Sequence, residues 1–218
     1  MWLESDGLFV LISGVTSEAD ALFAVALGAN GVSFDFGPTE RQISVALAHD
    51  ILRRLPPSVV TVGVFHSEMP ERVVEIANGL GLAAVQLDGV TSTSAKRYVA
   101  ERVRCVIRAV SSPEEAYAHD TDASIDYLMV PDGDDPDGLR HFEGYFADPL
   151  VFRPVIAQGL GPENVAHYVG SFDLFGVAAL GAIESSPGVK DAVKMGQFIA
   201  RARESAQPRS DGAMGRDA

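Results

Sequence analysis

The chain has 218 residues, 47% of them hydrophobic, with 21 glycines and a net charge of −13. That size suits one large domain with a sizeable core, and the acidic balance argues against nucleic acid or an anionic membrane surface as partner. The first residues, Met1-Trp-Leu-Glu-Ser-Asp-Gly7, carry acid where an export signal needs base, and no apolar run approaches the ~18 residues of a membrane span.

Short apolar, β-branched runs alternate with segments of helical period along the whole chain. The expected strands are Leu8 to Ser13, Gly31 to Phe36, Val59 to His66 and Ala83 to Asp88. Arg104 to Val110, Asp126 to Pro131, Val151 to Ala157 and Phe175 to Leu180 complete the series. Between them lie helical patterns such as Glu18 to Ala26, closed by Gly28. Another runs from Pro70 to Ala77, with proline at the favoured first turn and Gly79 and Gly81 beyond. Near-continuous apolar strands separated by helices imply parallel pairing with both faces covered. Eight such units in this length give an α/β chain folded as a single (β/α)8 barrel over residues 1–203. A doubly wound sheet is the alternative, but no Gly-x-Gly-x-x-Gly follows the first strand. The segment 204–218 is polar and without apolar period, so it reads as a disordered tail. The single cysteine, Cys105, excludes an intramolecular disulfide, suits a reducing cytoplasm and reads as a buried small hydrophobe.

Six markers in chain order resemble the phosphoribosylanthranilate isomerase family. They are Ile12-Ser-Gly-Val-Thr16, Pro38-Thr-Glu-Arg-Gln-Ile-Ser44, Val62-Gly-Val-Phe65, Val85-Gln-Leu87, Gly159-Leu-Gly-Pro-Glu-Asn-Val165 and Glu184-Ser-Ser-Pro-Gly-Val-Lys-Asp191. The resemblance implies an eight-fold barrel and an Amadori rearrangement of a phosphoribosyl amine. In that reaction a general acid protonates the furanose ring oxygen, the ring opens to a Schiff base, and a general base removes the neighbouring proton. Ser13 stands where the family has its cysteine base, and a hydroxyl does not ionise near neutrality as a thiol can. Val130 stands where the family has its aspartate acid, with Asp132 two residues on. The resemblance gives Arg41 the family's role of pairing with the anthranilate carboxylate. It also places phosphate on the loops after strands seven and eight, where Gln158-Gly159 and Gly181 stand.

Other polar residues stand at strand ends. Phe34 and Phe36, packing against helices, would send Asp35 into the barrel by alternation. His66 ends strand three, Asp88 follows strand four and Arg108 lies in strand five. Carboxylates, an imidazole and guanidiniums converging at the carboxyl end of a barrel make a workable acid/base site, with His66 titrating nearest neutrality. The bland alternative is a buried Asp35–Arg108 pair with His66 capping a rim. His49, His119, His141 and His167 fall on helices or loops and read as surface residues. The segment Asp132-Gly-Asp-Asp-Pro-Asp-Gly138 matches no complete calcium loop and reads as a solvated acidic loop.

These readings name two sets of residues: Ser13, Asp35, His66, Asp88 and Asp132 for catalysis, and Arg41, Arg108, Gln158, Gly159 and Gly181 for a small anionic ligand. No cofactor and no metal is indicated. Three functions follow: an isomerase with altered acid/base groups, a diverged barrel enzyme working through Asp35, His66 and Asp88, or a non-catalytic descendant that binds a metabolite or a partner.

Overall fold

The computed structural model describes residues 7–89, 92–130, 138–151 and 154–206. Eight parallel strands close on themselves in sequence order. They are β1 Phe9–Ile12, β2 Gly31–Asp35, β3 Val60–Phe65, β4 Ala84–Leu87, β5 Val106–Ala109, β6 Tyr127–Val130, β7 Val155–Ala157 and β8 Gly176–Ala179. The expected single (β/α)8 barrel is therefore the fold. Each strand is shorter than its expected run at one or both ends.

The helices are α1 Glu18–Ala26, α2 Val45–Leu52, α3 Pro70–Leu80, α4 Thr93–Ala100, α5 Pro113–His119, α6 Glu143–Phe146, α7 Val165–Ser171 and α8 Ala192–Ser205. A serine hydroxyl caps the first turns of α1, α2, α4 and α5, at Ser17, Ser44, Ser92 and Ser112. Such oxygens satisfy amides that have no partner inside the helix. Pro70 and Pro113 begin α3 and α5, and Gly81 ends α3 in the left-handed conformation at φ 66°. After β8 a small hairpin, β9 Glu184–Ser186 and β10 Val189–Lys190, precedes α8. That last helix continues through Glu204 and Ser205, so the expected domain end at 203 falls inside it. Residues 207–218 lie outside the described residues.

Alternation along each strand divides the side chains into two cores. Val10, Ile12, Val32, Phe34, Val85, Leu87, Val106 and Val130 pack outward against the helices. Phe9, Leu11, Val62, Ala84, Cys105, Ile107, Tyr127, Met129, Ile156 and Ala178 fill the barrel. Cys105 is the buried hydrophobe expected, and burial pushes its thiol pKa up. The interior plug stops short of the carboxyl end of the strands. There the inward positions turn polar: Ser13, Ser33, Asp35, Gln86 and Gln158, all buried. Among the described residues no helix is long and apolar enough to cross a membrane.

Candidate active site at the barrel mouth

The polar rim is organised around His66, the first residue after β3. Its Nε2 lies 3.1 Å and 3.2 Å from the two oxygens of Asp35, at the end of β2. Its Nδ1 lies 3.6 Å from Oδ2 of Asp88, just past β4. Neighbouring strands thus present carboxylate, imidazole and carboxylate side by side. The Asp35 carboxylate also accepts from the Gly37 amide at 2.9 Å and the Thr39 hydroxyl at 2.7 Å. Gln86 donates its Nε2 to Oδ1 of Asp88 at 2.9 Å. The side chain of His66 keeps 32% of its surface exposed, so the imidazole is reachable from the mouth.

These contacts shift the acidity of all three groups. Burial of Asp35 opposes its ionisation, but hydrogen bonds from His66, Thr39 and Gly37 outweigh it and hold the carboxyl below its usual range. The bond to Asp35 raises His66 above an ordinary histidine, against desolvation and with help from the charges of Asp35, Asp88 and Glu68. Burial pushes Asp88 up, although Gln86 and His66 pull the other way. An imidazole of raised proton affinity beside a carboxyl of raised affinity sets two groups that can exchange protons side by side.

Gly37 makes this geometry possible. A Cβ on residue 37 would lie 2.3 Å from Cδ2 of His66, so the imidazole rests directly on backbone. Gly37→Ala is expected to push the ring off Asp35. Its pKa then returns toward ~6.5, which an NMR titration of the imidazole C–H signals measures. An unchanged titration would show that the ring tolerates the methyl group.

The other expected site residues fare differently. Arg41 is engaged by the protein's own carboxylate: Nε lies 3.1 Å from both oxygens of Glu184, and Nη2 lies 2.8 Å from Oε2. Glu184 also binds the Gly188 amide at 3.2 Å and Lys190 Nζ at 2.8 Å. The stem of Arg41 and Leu180 lie over Gly14, whose φ of +64° turns the chain out of β1; a Cβ there would meet them at 2.9 Å and 2.6 Å. Arg108 does not enter the barrel, contrary to expectation. It follows the inward Ile107 and so points at the helices, bonding the Leu87 carbonyl and Glu115, each at 2.9 Å. The alternative Asp35–Arg108 pair is absent for the same reason. Val130, expected at the family's acid position, packs its side chain in the outer core. Asp132 and its acidic neighbours up to residue 137 lie outside the described residues.

Gln158 extends β7 through a 2.9 Å bond from its amide to the Val130 carbonyl, and Ser13 extends β1 by the same kind of bond to Ala179. Gly159 lies beside Gln158 at φ 86°, and Gly181 opens a short 3-10 turn after β8. His119 is less exposed than expected, standing 3.8 Å from Glu115 and from Asp122. Among the described residues no three His, Cys, Asp or Glu side chains converge to hold a metal ion. Sequence reasoning missed Gln86, although its place two residues before Asp88 on one strand puts both on the inward face. It also missed Glu184, whose pairing with Arg41 spans 143 residues and leaves no local signal.

A sequence model described as N-(5'phosphoribosyl)anthranilate (PRA) isomerase matches residues 10–201. The chain belongs to the phosphoribosylanthranilate isomerase family. It is 35% identical over 204 residues to the N-(5'-phosphoribosyl)anthranilate isomerase of Thermotoga maritima, covering 89% of this chain and 98% of that one. Identity to the Halobacterium salinarum protein of the same name is 34% over 213 residues, covering 91% and 97%. The crystal structure of the Thermotoga maritima isomerase superposes with a TM-score of 0.80 at 33% identity, over 90% of this chain and 99% of that one. A phosphoribosyl anthranilate isomerase solved with reduced 1-(o-carboxyphenylamino)-1-deoxyribulose 5-phosphate superposes with a TM-score of 0.78 at 34% identity, over the same shares.

Proposed function

We propose that this protein is an isomerase of phosphoribosylanthranilate type in tryptophan biosynthesis, in which His66 takes over proton transfer. One observation carries this reading: the imidazole standing between Asp35 and Asp88 at the carboxyl ends of β2, β3 and β4. Family membership supports a pentose phosphate amine as substrate, and the catalytic end of such barrels is the carboxyl end. His66, its proton affinity raised by Asp35, donates from its protonated form to the furanose ring oxygen as the ring opens. Asp88, with raised proton affinity, removes the proton next to the resulting Schiff base. Asp35 orients and charges the imidazole. Ser13, which cannot ionise at neutral pH, takes no proton. The setting proposed for this reaction is the cytoplasm.

The test is turnover of N-(5-phosphoribosyl)anthranilate by the purified protein, followed by loss of the fluorescence of its anthranilate group. Growth without tryptophan of a host lacking its own isomerase supports the reading when this gene is supplied. Soluble, folded protein that neither turns over the substrate nor restores growth would overturn it.

The state of Arg41 favours a second reading. Glu184 occupies the Nε–Nη2 edge of its guanidinium, whereas the family uses this arginine for the substrate's carboxylate. A small cleft beside His66 and Asp88 is walled by Phe65, Val73, Leu87 and Val99, with Glu68 at its edge. A pentose phosphate whose amine carries an uncharged or cationic group fits these surroundings better than one carrying a benzoate. Faster turnover of such an analogue would favour this reading.

A further inference from the structure

Three buried polar atoms at the barrel mouth have no hydrogen-bond partner among the described residues: Ser13 Oγ, Gln86 Oε1 and Gln158 Oε1. Their residues are 4%, 3% and 7% exposed, so bulk solvent does not satisfy them freely. All three face inward, because each stands two positions beyond a member of the interior core: Leu11, Ala84 and Ile156. They sit on β4 and just past the ends of β1 and β7, spaced around the ring and at its polar, carboxyl end. The orientation of Gln86 is chemically fixed. Its other amide atom meets the Asp88 carboxylate, which accepts, so the nitrogen faces Asp88 and the oxygen remains an open acceptor.

Buried polar groups without partners are rare and costly, and each calls for an explanation. Two carbonyl acceptors and a hydroxyl, next to the carboxylates of Asp35 and Asp88, ask for a ligand face rich in donors. An anionic group would be repelled there; the hydroxyls of a sugar would not. We propose that Ser13, Gln86 and Gln158 read the hydroxyl groups of the pentose, with Gln86 and Gln158 accepting from them. The inference rests on the proposed isomerase reading in taking the barrel mouth as the substrate site. It assigns Ser13 a binding role where a base is lost, and it makes Gln158 a specificity residue.

The experiment titrates ribose 5-phosphate, 2-deoxyribose 5-phosphate and inorganic phosphate into wild type, Gln158→Met, Gln86→Met and Ser13→Ala by calorimetry, with melting temperatures recorded alongside. Wild type is expected to bind the ribose ester about tenfold or more tightly than its deoxy analogue. Each variant is expected to lose about five- to tenfold in ribose ester affinity, the effect of one hydrogen bond. Phosphate affinity stays unchanged in Gln86→Met and Ser13→Ala. Gln158→Met melts no lower than wild type, since an unsatisfied carbonyl leaves the core. Ser13→Ala removes a single oxygen and so remains informative if a glutamine variant misfolds. Wild type that binds neither sugar or does not discriminate, or variants that all keep the preference, would overturn the inference and leave the three atoms to water. Sugar discrimination without turnover of phosphoribosylanthranilate would sink the isomerase reading and leave this inference standing; turnover without discrimination would do the reverse.

Discussion

Replacing His66 by asparagine is expected to lower kcat for the proposed isomerisation by about a hundredfold or more, the usual share of a positioned general acid or base. Asparagine keeps a donor and similar bulk, so KM for a pentose phosphate should move far less than kcat. The pH profile gives the sharper readout. His66 must be protonated to donate, and Asp35 raises its pKa. Wild-type kcat should therefore hold through ~6.5 and fall only as pH rises through the raised value. Asp35→Asn should bring that alkaline limb to lower pH, while His66→Asn should abolish it. A histidine that merely capped the rim would leave kcat and its profile untouched in both variants.

The same pair links stability to pH. A histidine raised above its unfolded pKa contributes stability fully below ~6.5 and loses it as pH rises through its folded value. Asp35, depressed in the folded state, contributes above its ordinary range and loses that contribution as pH falls through the lowered value. Wild type should exceed His66→Asn most in mildly acidic solution, by about 1 kcal/mol for a partly exposed charged pair.

Much of this arrangement was legible in the chain. Eight apolar runs separated by helical periods give the closed barrel, and two-residue alternation sends Asp35 inward between Phe34 and Phe36. The same rule, carried from Ile107, would have turned Arg108 outward; reading it as a strand-end cation overlooked the parity of its strand. Alternation likewise takes Val130 out of the mouth. What the sequence hides is pairing between distant loops. Glu184 meets Arg41 because the hairpin after β8 folds back over β1 and the loop after β2, and no periodicity records that. Nor does composition show that Gly37 exists to seat an imidazole, because the clash appears only once His66 is in place.

Glu184 carries the largest expected effect on stability. It binds Arg41 at two points and Lys190 at 2.8 Å, and the Lys190 side chain is 0% exposed. Burial disfavours its ionisation, yet the two cations hold its pKa below the usual range. For Lys190, burial lowers the pKa while the bond to Glu184 opposes the change. Glu184→Gln keeps the shape but leaves an ammonium buried without counter-charge, a defect that typically costs about 3–5 kcal/mol. At ~2–4 °C per kcal/mol for a domain of this size, the melting temperature should fall by roughly 6–20 °C. Without Glu184, Lys190 releases its proton more readily in the folded state, while the unfolded chain keeps it to a higher pH. The unfolded state then binds more protons, so the variant should regain stability as pH rises, more steeply than wild type. Adding Lys190→Met should recover part of the loss at neutral pH, because it removes the stranded charge. An equal loss in single and double variants, flat with pH, would place the effect in the Arg41 contact instead. That contact holds the arginine stem over Gly14, next to Ser13, so the hairpin would then stabilise the mouth through Arg41 alone.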